Sequence, residues 1–90
     1  MTEIRVEPAG EESYRVRVEE AGGASEHTVR VPADQLERYG GGAGAEELVE
    51  ASFRFLLERE PKEAILSSFE LSTIEGYFPE YPDEIRRRVG

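Results

Sequence analysis

The periodicity of the apolar residues changes once along this chain, at the run Gly40-Gly41-Gly42-Ala43-Gly44. Ahead of the run, apolar and polar residues alternate. Behind it, apolar residues recur at three- and four-residue spacings. Alternation belongs to half-buried strands and the longer period to helices. The chain therefore reads as an α+β protein, with an antiparallel three-stranded meander followed by a principal helix and short C-terminal helices.

The meander is expected over residues 1–32. Ile4 and Val6 form one alternating run, Tyr14, Val16 and Val18 a second, and His27, Val29 and Val31 a third. The joins Pro8-Ala9-Gly10-Glu11 and Ala21-Gly22-Gly23-Ala24 are short and rich in turn formers, which predicts hairpins. Pro8 and Pro32 flank the first and third runs, so the second strand should be central.

A short helix is expected over 33–39, opened by Pro32 and Asp34 and stopped by Gly40, with a glycine-rich loop over 40–44. The principal helix should span 45–60, with Glu46 and Glu47 in its first turn and Pro61 closing it. Its apolar positions, Leu48, Val49, Ala51, Phe53, Phe55, Leu56 and Leu57, sweep roughly 240° of the helix circumference. One sheet covers less than that, so a second cover is required: the C-terminal segment, or another copy of the chain. Residues 61–90 read as a helical wrap cut by prolines. Pro61 can start a helix leading to Ile65 and Leu66. Ser72-Thr73-Ile74-Glu75 matches a capping box, and Pro82 can open a last turn ending in Arg86, Arg87 and Arg88. The expected core is Ile4, Val6, Tyr14, Val16, Val18, Val29, Val31, Leu36, Val49, Phe53, Leu56, Leu57, Ile65, Leu66, Ile74 and Phe78.

Composition narrows the chemistry. Ninety residues make a single domain with a modest core, and the absence of cysteine excludes disulfides and thiol chemistry. The N-terminus reads as no signal peptide and no apolar run could span a bilayer, so the expected location is cytoplasmic, with no membrane partner. A net charge of -9, spread along the chain, opposes a phosphate backbone, so no nucleic-acid partner is expected.

No catalytic, metal or cofactor constellation emerges, and no small-molecule substrate is evident. His27 is the only histidine and reads as a boundary residue packing its ring. Arg5, Arg15, Arg17 and Arg30 share the polar sheet face with Glu3, Glu7 and Glu19, but that face lacks the aromatics on which bases would stack. The carboxylates read as solvated helix faces. The densest aromatic segment is Tyr77-Phe78-Pro79-Glu80-Tyr81-Pro82, which reads as core packing or as a rigid partner site. Leu48, Phe55, Tyr77, Phe78 and Tyr81 are accordingly the candidate partner-binding residues.

The segments Phe55-Leu56-Leu57-Glu58-Arg59-Glu60-Pro61-Lys62-Glu63, Phe69-Glu70-Leu71-Ser72-Thr73-Ile74 and Tyr77-Phe78-Pro79-Glu80-Tyr81 resemble a group of small bacterial proteins of unknown function. The resemblance covers about the last 40 residues. It implies a bacterial source, implies no activity, and transfers no functional residue. The expected function is a non-catalytic, acidic protein acting by protein–protein contact, with another protein or with itself as a homodimer. Two alternatives are an antitoxin-like or other nucleic-acid-associated regulator, similar in architecture alone, and a small carboxylate-dependent enzyme.

Overall fold

A computed structural model describes residues 2–89 of the chain. Three long strands, β1 (Glu3–Gly10), β2 (Ser13–Glu20) and β3 (Gly23–Arg30), form the meander. The turns are tighter than the composition suggested, because the strands run on into the glycines: Glu20 pairs with Gly23, and Gly10 with Ser13. Gly22 takes φ +91° and Glu12 φ +60°. The Glu12 conformation is costly for a residue with a Cβ, but the residue is tied down. Its carbonyl accepts from Val31 N at 2.7 Å, and its carboxylate accepts from Ala33 N at 3.2 Å.

A fourth strand, β4 (Ser68–Glu70), lies parallel to β3, giving the order β1-β2-β3-β4. A strand stands where helical wrap was expected. The two central strands are therefore β2 and β3, and the sheet edges are β1 and β4. A parallel neighbour needs a crossover, and the helical middle of the chain supplies it.

That middle holds α1 (Ala33–Gly40) and α2 (Ala45–Leu57). The stop after α1 falls one residue beyond the expected position. Gly40 is still helical and buried, while Gly41 takes the left-handed cap conformation at φ +58°. A Cβ on Gly40 would meet Leu36 Cδ1 at 3.4 Å and Leu48 Cδ2 at 3.5 Å, so the glycine run is both an exposed loop and a close approach. Helix α2 ends short of residue 60, because the amides of Arg59 and Glu60 both converge on the Leu56 carbonyl at 2.9 Å. Pro61 then leads into one 3-10 turn, Lys62–Ala64, in place of the expected helix.

Two short helices close the chain, α3 (Thr73–Tyr77) and α4 (Tyr81–Val89). The capping box does not form. The Ser72 side chain makes no cap bond, and its amide is instead taken by Gln35 Oε1 of α1 at 3.0 Å. The Glu75 carboxylate leaves for Tyr39 OH at 2.6 Å and Arg38 at 3.0 Å. Tertiary partners have outcompeted the local motif.

The wide apolar arc of α2 is covered within the chain. Phe53 faces the sheet, with its ring 5.2 Å from His27 and 6.0 Å from Phe69. Leu48, Ser52 and Phe55, spaced four and three apart, form a second fully buried stripe rotated by about 100°. Ser52 and Phe55 of that stripe meet Tyr81 of α4, and Phe55 also meets Phe78. The reason for invoking a second subunit on this helix is thereby met by α4. Tyr39, Leu48, Phe55, Leu71, Tyr81 and Ile85 join the core, while Leu66, expected inside, is 46% exposed. Among the described residues no helix is long and apolar enough to cross a membrane.

Candidate interaction groove

The five expected partner residues separate into two environments. Leu48, Phe55 and Tyr81 are completely buried, so they offer no surface to a partner. Phe55 is sealed on every side. Its ring lies edge-on to Phe78 at 5.8 Å and to Tyr81 at 5.3 Å, and the Arg59 guanidinium stacks over it at 3.7 Å. Arg59 also donates to Glu80 at 3.1 Å, and Glu80 sits below the usual carboxylate range through its own amide and then Arg59. Phe78 is half-buried, and Tyr77 is 68% exposed.

Burial separates the tyrosines chemically as well. Desolvation and the bond to Glu75 push Tyr39 up to about 12. Burial pushes Tyr81 higher still. Both hydroxyls are therefore neutral structural donors over any physiological pH.

Beside this core lies an apolar groove of about 140 Å³. Its walls come from four places in the sequence: Leu56 of α2 with Glu60 just beyond it, Ala64 of the 3-10 turn with Ile65 and Leu66 after it, Phe69 of β4, and Thr73, Ile74, Tyr77 and Phe78 around α3. Its size suits one ring-sized apolar group, since a ~150 Å³ apolar cavity accommodates benzene. Leu66 and Tyr77 are the exposed large apolar side chains among the described residues, and both line this groove. Glu60 also lines it, with no basic group of the described residues within 4 Å.

Leu66 is held in place from beneath. His27 is 3% exposed, and its Nδ1 lies 2.8 Å from the Leu66 carbonyl. A carbonyl only accepts, so Nδ1 carries a proton. The other ring nitrogen, Nε2, lies 2.8 Å from Ser25 Oγ, which donates to it in the neutral ring. His27 is thus packed against Phe53, as its place on the strand implied, and also anchors the groove wall. The sequence does not reveal that second role, because Leu66 is far away along the chain.

A second, wider cleft is lined by Glu47, Glu50, Ala51, Arg54, Arg88 and Val89. Its cations are already committed: Arg54 to Glu50 at 3.2 Å, and Arg88 to Glu58 at 2.6 Å. The Arg88 guanidinium holds Glu58 below the usual carboxylate range. The sheet's polar face is likewise charge-paired at three of its four arginines, Arg15 being the exception among the described residues. Arg5 meets Glu3 and Glu19, Arg17 meets Glu19 and Glu26, and Arg30 meets Glu12 and Glu70, all within 4 Å. No group of three or more His, Asp or Glu side chains converges among the described residues. Comparison of the chain with protein-family models, with curated proteins and with solved structures finds no match.

Proposed function

We propose that this protein is a non-catalytic interaction module that receives an apolar side chain of another protein in the groove between Leu66 and Tyr77. The observation that carries the reading is a coincidence of position. The two large apolar side chains left in solvent, 46% and 68% exposed, stand on the walls of one groove. Scattered exposed apolar residues need no explanation, but a cluster of them lining a concavity marks a contact site. A rigid aromatic such as Tyr77 is also an effective anchor, since few rotatable bonds are frozen on binding.

A partner other than a second copy is favoured, because α4 already covers the helix arc that a dimer would have served. The charge pattern weighs against nucleic acid. Of the 11 basic residues, Arg15 and Arg86 alone lack an acidic group within 4 Å among the described residues.

The test is a displayed library of short random peptides panned on the purified protein. Apolar-containing peptides should be enriched, and the double variant Leu66→Ser/Tyr77→Ser should lose them while keeping its melting temperature. Both side chains are exposed, so folding should tolerate the change. Failure to enrich any peptide, or enriched peptides that bind the variant equally well, would refute the proposal. Light scattering at micromolar concentration should give the mass of one chain, and a dimer mass that the double variant abolishes would assign the groove to self-association.

A further inference from the structure

Resting on that reading, we infer that the groove is half of a strand-addition site. An extended segment of the partner pairs with the open edge of β4, seats one apolar side chain between Leu66 and Tyr77, and brings a basic side chain to Glu60. The register of β4 provides the edge. Thr28 N donates to Ser67 O at 2.8 Å, and Leu71 N donates to Arg30 O at 3.0 Å. Parallel ladders engage alternate residues, so positions 67, 69 and 71 face β3. The main-chain groups of Ser68 and Glu70 therefore point away from the sheet. Among the described residues no turn, loop or side-chain hydrogen bond takes them up.

The two faces of β4 complete the geometry. Phe69 turns into the groove, while Ser68 is exposed on the opposite face. An added strand would carry its own alternate side chains on the Phe69 side, where the groove is open. The other edge is built differently. Strand β1 presents Glu3, Arg5, Glu7 and Pro8, the charges and proline that discourage pairing. Charge selects the occupant. The chain carries a net -9, and Glu60 stands at the groove without a cation, so the segment that fits is apolar with an adjacent Lys or Arg. A second copy of the chain would offer only the three-residue β4 or the guarded β1. Strand addition uses main-chain bonds for affinity and alternate side-chain pockets for selection, and both are present here.

The experiment uses a synthetic peptide of the sequence enriched from the displayed library, with 15N-labelled full-length protein. Peptide binding should slow hydrogen exchange at the Ser68 and Glu70 amides. Methylating the peptide's main-chain nitrogens one at a time should weaken binding at alternate positions by about tenfold or more. Glu60→Gln should weaken it by about two- to fivefold at low salt, and less at high salt. A peptide that requires Leu66 and Tyr77 yet tolerates every methylation, and leaves both amides exchanging freely, would overturn strand addition while leaving the groove as a contact site. Protection of those amides that rises with protein concentration alone would replace the committed occupant by a second copy. If no groove-dependent peptide is enriched, both readings fall.

Discussion

The contact between Ser52 and Tyr81 decides whether Tyr81 belongs to the core, and a double-mutant cycle can measure it. Ser52 Oγ lies 2.8 Å from the Leu48 carbonyl and 2.7 Å from Tyr81 OH. A serine has one proton and a carbonyl only accepts, so Ser52 donates to Leu48 and Tyr81 donates to Ser52. The two truncations are therefore unequal. Tyr81→Phe keeps the ring and leaves the Ser52–Leu48 bond in place, costing about 0.5–1.5 kcal/mol, the net value of one hydrogen bond. Ser52→Ala strands a tyrosine hydroxyl in a fully buried site, costing about 1–3 kcal/mol, with about 0.5 kcal/mol offset because alanine is the better helix former. In a domain of this size each kcal/mol moves the melting temperature by about 4–8 °C. The double variant no longer contains the stranded hydroxyl, so its loss should fall short of the sum of the singles by about 1–2 kcal/mol. Urea titrations or calorimetry of the four proteins supply the cycle. If Ser52→Ala costs no more than Tyr81→Phe, and the losses add to within about 0.5 kcal/mol, then Tyr81 is not donating to Ser52 and the packing of α4 against α2 is wrong as described.

Alkaline titration should show the same burial by another route. Tyr39 is raised from 10.0 to about 12, and Tyr81 is raised as well. A raised folded value favours the protonated form, so the stability tied to these groups is complete below about pH 10 and is lost as pH climbs through the folded values. Ultraviolet absorbance should then record Tyr39 and Tyr81 ionising together with loss of the circular dichroism signal, and their ionisation at pH 10 in the native protein would contradict their placement. At the end of α1, Gly41→Ala should cost about 1–2 kcal/mol, because φ is +58° and the space around a new Cβ is empty, leaving only the left-handed backbone penalty. Gly41→Asn should recover part of that loss, and equal melting temperatures for the three proteins would show that the cap is not held in that conformation.

The meander was legible because each of its long strands repeats the alternation several times. Ile4, Val16, Val18, Val29 and Val31 are buried as the pattern requires, and Val6 and Tyr14 are half-buried against the same core. Strand β4 was not, since Ser68-Phe69-Glu70 offers one apolar residue and therefore no period. What makes it a strand is β3, whose free edge receives it from far along the chain. The capping box at Ser72 failed for the same reason: Gln35 and Glu75 found better partners across the fold. The cover for α2 is present in the sequence as Tyr81, Ile85 and Val89, spaced four apart, but Pro79 and Pro82 beside it also carry the signature of a helix break. Pro82 lies in the first turn of α4, where its missing donor costs nothing.

Placing α4 over α2 changes where a partner can bind. The partner residues inferred from an over-wide helix, Leu48 and Phe55, are consumed by the cover, as is Tyr81, which provides it. Exposed apolar surface remains beyond the C-terminal end of α2, where the chain leaves the helix after Leu57, makes one 3-10 turn and enters β4. That passage is too short to bury itself. Leu66 is fixed by the His27 bond to its carbonyl with its side chain left in solvent, and α3 is too brief to fold Tyr77 inward. The crossover delivers three residues to the sheet, and they end as its outermost strand with Phe69 turned into the groove, so groove and open edge lie side by side.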